Sequence, residues 1–321
     1  MTSAATNSAR VVALGGGHGL AATLTALRAI TNEITAIVTV ADNGGSSGRL
    51  RQEFPIFPPG DLRMALAALC ADDEWGRSWA EIMQYRFTSE GPLDGHAVGN
   101  LLLAALWDRD EDSVAGLDRV GALLKVVGRV LPMAAVPLDI EATFTSSIGR
   151  INVRGQAEVA TAKGKLESLR LLPENPAARS EALAAISSAE VITMGPGSWI
   201  SSVLPHLMVP AQREAIVNSK AKKVVLLNLD ASIHTTGDEY AGYSAEDHLQ
   251  LLHKYAPELK VDYVLADSDV VADRISLEKS VQSLGGQLIS ADLSMGPGSS
   301  SHDVRKLTPV LAHIITQSLI G

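Results

Sequence analysis

Hydrophobic positions along the chain follow two periods in turn. Val11 to Leu14 is a short unbroken apolar run that stops at glycines, the pattern of a strand buried on both faces. Leu20, Leu24 and Leu27 then recur at helical spacing within 20–30. Ile34 to Val40 is a second run, rich in β-branched residues, as strands are. This order predicts β-loop-α-β, the opening of a doubly wound fold.

Residues 42–60 read as loop, first glycine and serine, then proline. Asp61 is placed to cap a helix running to about Cys70. Helices are expected over 78–86, 97–107 and 113–126. Residues 133–172 change character: short alternating runs such as Ile151 to Val153, with glycines between them, predict a β-rich excursion. The α/β alternation resumes with helix 176–189, strand Val191 to Met194 and a Gly-Pro-Gly-Ser loop. Strand Lys223 to Leu229, ending at Asp230, comes next. Helix 245–255 follows, with Ser244 and Asp247 at capping-box spacing. Strand Val261 to Leu265, helix 271–283, strand Gln287 to Ile289 and helix 303–319 close the chain. The expected class is α/β, Rossmann-like and doubly wound, with a mainly parallel sheet and a β-rich insertion. No linker-like shift in composition divides the chain. Residues 1–9 are therefore expected as a flexible N-terminus and 10–321 as one domain.

Composition agrees. Hydrophobic residues make up 46% of the chain and aromatics only 4%, so the core must be aliphatic, as in buried parallel sheets. The net charge is −9 and no basic stripe interrupts it, which argues against nucleic acid as a partner. The single cysteine, Cys70, lies in an apolar helical run. It excludes an internal disulfide or a cysteine-based metal site, and reads as a buried structural residue. With no signal-peptide pattern and no run of about 20 apolar residues, the expectation is a cytoplasmic protein without a membrane span.

Five segments carry candidate chemistry. Gly15, Gly16, Gly17, His18 and Gly19 stand between the first strand and helix. They suit either a tight turn or an anion site at a helix start. Leu20 breaks the dinucleotide fingerprint, which weakens an NAD-dependent oxidoreductase. Asp42, Asn43, Gly44, Gly45, Ser46, Ser47, Gly48, Arg49, Leu50 and Arg51 follow the second strand. Asp42 suits a ribose hydroxyl or a divalent cation. The glycines and serines offer donors, and Arg49 or Arg51 offers charge. In Pro58 to Arg63, Asp61 is a cap and Arg63 an anion ligand if it faces the cleft. His96 and Asn100, four apart, share a face if a helix starts there, so His96 is an acid–base group or a capping or core histidine. Gly195, Pro196, Gly197 and Ser198 stand at another strand end. A second Met-Gly-Pro-Gly-Ser at 295–299 reads as a plain turn. His234, His248 and His253 lack ligand spacing and read as structural or solvent-facing. No catalytic residue and no metal site is assigned.

In this order, Gly15 to Leu20, Thr35 to Arg51, Pro58 to Arg63, Gly95 to Leu103, Gly195 to Ser198 and Gly242 to Gln250 resemble the YvcK-type gluconeogenesis factors (UPF0052). These are siblings of the CofD-type 2-phospho-L-lactate transferases. The resemblance runs from about residue 10 to the C-terminus. It implies a Rossmann-like core and a cytoplasmic bacterial regulator needed for cell shape and wall growth. It also implies binding of UDP-sugars such as UDP-N-acetylglucosamine. Cell-wall synthesis proteins and further copies of the chain are the expected protein partners. The alternative is a CofD-like phosphotransferase using Mg²⁺. His18 stands where Thr is usual, Met64 where Asn is usual, and Asn43 where a second acid is usual. The last departure favours the regulator with no cofactor.

Overall fold

The computed structural model describes residues 9–110, 112–146, 149–229, 243–271, 273–296 and 298–320. The opening is as the pattern predicts: β1 (Val11–Gly15), α1 (Gly17–Leu27) and β2 (Ile34–Val38). Then come α2 (Gly45–Glu53), α3 (Pro59–Ala68), α4 (Glu74–Gln84), α5 (Val98–Arg109), α6 (Ser113–Leu123) and β3 (Arg129–Pro132). The excursion consists of β4 (Asp139–Ser146), β5 (Gly149–Arg154), α7 (Gln156–Thr161) and β6 (Lys165–Leu172). The second half runs α8 (Ser180–Ser188), β7 (Val191–Met194), a π-helical turn (Trp199–Val203), α9 (Leu204–Met208), α10 (Pro210–Asn218) and β8 (Lys222–Leu226). It ends with α11 (Ala245–Tyr255), β9 (Tyr263–Asp267), α12 (Arg274–Ser283), β10 (Gln287–Ala291) and α13 (Val304–Ile320).

Among the described residues, seven strands form one sheet in the order β10-β9-β8-β7-β1-β2-β3, and every pairing in it is parallel. Each strand of β1 and β7 is buried along its whole length, which explains their unbroken apolar runs. Leu14, Leu24, Leu27 and Ile37 are fully enclosed, each stabilising the fold by roughly 1.5–3 kcal/mol. α1 packs against α3 and α13. Chain order moves outward one way through β1, β2 and β3 and the other way through β7 to β10. The direction therefore reverses between β1 and β7, where a doubly wound sheet opens a crevice.

The excursion is a separate antiparallel sheet in the order β5-β4-β6. Ile140, Ala142 and Phe144 alternate inward along β4.

Three expectations are corrected. Residues 45–53 are helical, not loop; Ser46, Ser47 and Gly48 are buried there, so tertiary packing overrides their weak helix propensity. Asp61 is not the cap of α3. Pro58 holds that position, Pro59 starts the helix, as proline favours, and Asp61 lies within the first turn. His96 precedes α5 rather than sharing its face with Asn100. The run 199–218, which the pattern left unassigned, is helical, and Arg129–Pro132 adds an edge strand. The Ser244–Asp247 capping box is present on both sides. Asp230, His234 and the start of the Gly242 to Gln250 stretch lie outside the described residues.

Candidate functional site

A cleft of about 360 Å³ opens at the reversal point, over the ends of β1, β7, β8 and β10. Its first wall is Gly16 to Gly19, at the N-terminus of α1. Gly17 has φ +59, so the loop takes a turn that disfavours side chains. Gly19 has a different reason. A Cβ there would lie 2.2 Å from the Pro196 carbonyl, so only glycine lets α1 approach the opposite loop. That loop, Pro196, Gly197 and Ser198, forms the second wall. Gly197 N–H donates to Asn228 Oδ1 at 2.9 Å, and Ser198 Oγ accepts from Ser201 N–H at 3.0 Å.

Beneath the first loop, Gln212 Nε2 donates to His206 Nδ1 at 2.8 Å. His206 Nε2 then faces the Gly15 carbonyl at 3.4 Å as donor. Burial pushes this histidine down to about 4, against the Gly15 bond. It is a neutral strut.

Asp61 lies at the cleft floor. Gly17 N–H and Thr39 donate to it. Burial, and then the charge of Asp42, push its carboxyl up to about 7, although Gly17, Thr39 and Arg63 pull it down. Asp42 is raised too, chiefly by burial, although Gly44 N–H, Ser47 and Arg51 oppose it.

The far wall was not legible in the sequence. Ser300, Ser301 and His302 reach the cleft from beyond β10. The buried Asp267 carboxylate, at the end of β9, holds this segment by accepting from Leu293 N–H (2.6 Å) and Ser294 N–H (3.0 Å). The second Met-Gly-Pro-Gly-Ser is thus the turn before a cleft wall. Its Met295 is exposed, and Pro297 lies outside the described residues. Ser202, Asn228 and Gln156 also line the cleft. Gln156 comes from α7, so the antiparallel unit reaches the site.

The remaining candidates stand elsewhere. Ser46 Oγ meets His96 Nδ1 at 2.9 Å and accepts from Asn100 Nδ2 at 3.0 Å. Arg63 Nε donates to Asn100 Oδ1 at 2.8 Å, and its Nη1 to Gln84. This buried network ties α2, α3 and α5 together. Burial, then Arg86, lowers Arg63 to about 10, against Asp61; it stays cationic. Burial, then Arg49, lowers His96, against Glu53. Arg49 donates to the carbonyls of Pro92 and Asp94. Arg51 bonds the Asp139 carboxylate and the Asp42 carbonyl, both at 3.0 Å. Neither arginine lines the cleft, contrary to the expectation that one would hold a pyrophosphate there; each is committed to backbone or to the antiparallel unit. Asn43 faces α7, and Gly44 and Gly45 begin α2. Cys70 is buried, His248 is buried against Trp199, and His253 is exposed.

Among the described residues, no three His, Cys, Asp or Glu gather as a metal site. Asp42 and Asp61, near enough that the charge of one raises the other, are the acids that would hold a Mg²⁺ ion taking its other ligands from water and substrate phosphates. No helix among the described residues is long and apolar enough to cross a membrane.

Comparison with known proteins agrees with this layout. The sequence profile described as "2-phospho-L-lactate transferase CofD" matches residues 11–296. A relative from Mycobacterium tuberculosis that carries the gluconeogenesis factor name is 46% identical over 309 residues, covering 94% of this chain and 89% of its own. The gluconeogenesis factor of Listeria monocytogenes is 32% identical over 313 residues, covering 94% of each. A crystal structure of a UPF0052 family member from Bacillus halodurans superposes with a TM-score of 0.82 at 34% identity, covering 96% of this chain and 99% of that one.

Proposed function

Because the chain belongs to the gluconeogenesis factor family related to the CofD transferases, we propose that its cleft binds a UDP-sugar, such as UDP-N-acetylglucosamine, without consuming it. The observation that carries this reading is the pairing of two glycine loops at the reversal point, one of them opening α1. Amide N–H groups at a helix start attract phosphate through hydrogen bonds and the helix dipole. Serine hydroxyls and Gln156 around them suit sugar and ribose hydroxyls. In this reading the bacterial cell uses the occupied protein in the cytoplasm as a report of precursor supply to wall synthesis.

Among the described lining residues there is no Lys or Arg, so in this reading amides and the helix dipole, not ion pairs, take the phosphates. Arg49→Ala and Arg51→Ala then retain affinity within roughly 3-fold, as distant sites do.

A second reading rests on the acidic pair. Mg²⁺ held by Asp42 and Asp61 would neutralise phosphate charge as a transferase requires. Calorimetry with UDP-N-acetylglucosamine, followed by mass spectrometry of the recovered ligand, tests the first reading. Intact ligand bound more tightly than NAD supports it. Turnover of a lactyl-phospho-guanosine donor with a deazaflavin acceptor and Mg²⁺ would replace it with the second.

A further inference from the structure

The Asn43 carboxamide makes two contacts with the start of α7. Its Nδ2 donates to Glu158 Oε2 at 2.9 Å, and its Oδ1 accepts from Ala157 N–H at 3.1 Å. An amide meets both demands at once, with a donor toward the carboxylate and an acceptor toward the N–H. An aspartate would turn one oxygen toward Glu158, with like charges facing each other.

The chain threads beneath this bridge at Gly155. Its φ is +107, and a Cβ there would lie 2.1 Å from Glu158 Oε2 and 2.2 Å from Asn43 Nδ2. Bridge and glycine therefore fix the point where the antiparallel unit turns toward the cleft. The next residue is Gln156. Its Nε2 donates to Ser201 Oγ at 3.3 Å, and among the described residues it is the one group of 133–172 that lines the cleft.

We propose that Gln156 is a ligand-contacting residue and that Asn43 is the positioning residue that holds it in the cleft. This rests on the reading of the cleft as a nucleotide-sugar site. With one N–H given to Ser201, the Gln156 amide keeps a second N–H and a carbonyl with two lone pairs. A group that both donates and accepts matches a hydroxyl or acetamido group, which also does both. Gln156 therefore reads the sugar end, while the amides of the first loop take phosphate. The antiparallel sheet becomes part of the recognition surface, and the Asn43 bridge couples it to the bound molecule.

The test is a charge-swap series on the full chain, with UDP-N-acetylglucosamine as the probe in calorimetry. Asn43→Asp should weaken binding roughly 2- to 10-fold, no more than loss of the contact it positions. Gln156→Ala should weaken it roughly 3- to 10-fold. N43D/E158Q rebuilds the bridge in reverse, since the introduced amide donates to the introduced carboxylate. It should recover wild-type affinity within about 3-fold. Hydrogen exchange of the 156–161 amides in ligand-free protein gives a second readout, faster in N43D and slowed again in the pair.

If the wild-type protein does not bind the UDP-sugar, the reading of the cleft fails, and unchanged exchange in N43D then overturns the bridge as well. If wild type binds but N43D and Q156A bind equally well, or the pair fails to recover, the proposal is overturned.

Discussion

The cleft beside β1 and the polar cluster beneath α5 are built from similar residues and do opposite things. Both use serine, histidine and an amide side chain near a helix start. In the cleft, those groups converge on open space between Gly16–Gly19 and Pro196–Ser198. In the cluster, Ser46, His96, Asn100 and Arg63 turn toward one another, at 2.8–3.0 Å in the bonds that join them. The sequence presents these groups as one set of candidates, because composition does not show which donors are already spent. A ligand site turns part of its polar groups to open space, even where others, such as the Gly17 and Gly197 N–H groups, are given to Asp61 and Asn228. A structural network turns them on one another.

The sharpest way to break this contrast is to remove the centre of the network. Asn100 is 1% exposed and joins Arg63 to Ser46. Asn100→Ala leaves a buried guanidinium and a buried hydroxyl short of partners. The expected loss is about 3 kcal/mol of unfolding free energy by urea titration. Affinity in the folded fraction should hold within about 3-fold. Lost binding at unchanged stability would move the network into the site.

Gly19→Ala should behave in the opposite way. The added methyl meets the Pro196 carbonyl and the Gly197 nitrogen, backbone that does not yield cheaply. Forcing the walls apart should cost binding at least roughly 30-fold, about 2 kcal/mol, with a modest loss of stability. A folded variant that binds normally would show that the ligand does not lie between these loops.

How far the sequence reached follows the same division between local and distant causes. Val191–Met194 and the Ser244–Asp247 capping box were legible because their signals lie within a few residues. α2 was not, since burial rather than propensity makes Gly45–Glu53 helical. β3 was hidden in four residues that begin with Arg and end with Pro, and its pairing with β2 alone defines it. The glycine walls of the cleft were visible as punctuation after strands. Ser300 to His302 were not, because they reach the cleft from beyond β10, far along the chain from Gly16. The direction of Arg49 and Arg51 was equally hidden, since their partners come from other segments.

A titration sharpens the role of the cleft floor. Asp61 is raised to about 7 by burial, then by Asp42. A phosphate arriving beside it favours the protonated form further. Binding therefore takes up a proton, and affinity should rise roughly 10-fold from pH 8 to pH 6. Asp61→Asn should flatten that profile. The same group affects stability. Its folded value lies above its unfolded one, so its contribution is full below about pH 4 and is lost as pH rises through 7. The asparagine variant should then raise the melting midpoint at pH 8 more than at pH 5. A wild-type affinity that is flat from pH 6 to 8 would remove Asp61 from the ligand's reach.

The smallest expected effect is at His302, which tests whether the far wall is a site or only a covering. The residue is 8% exposed and lines the cleft. Its Nε2 is enclosed and has no hydrogen-bond partner among the described residues. Burial keeps the ring below its usual range, although Asp267 and the Leu227 carbonyl pull it up, so it is neutral at pH 7. With its one N–H given to the Leu227 carbonyl, the neutral imidazole has only the Nε2 acceptor left, which suits a hydroxyl better than an anion. A polar atom buried without a partner lowers the stability of the free protein. His302→Phe keeps the ring and removes that atom. Melting should be unchanged or slightly higher, offset by the lost Leu227 contact, while UDP-sugar affinity falls roughly 3-fold. Opposite signs in the two measurements are the mark of a group kept for a ligand. If stability falls while affinity is untouched, His302 belongs with Ser46 and Asn100 as packing, and the cleft is read from Gly16–Gly19, Ser198 and Gln156 alone.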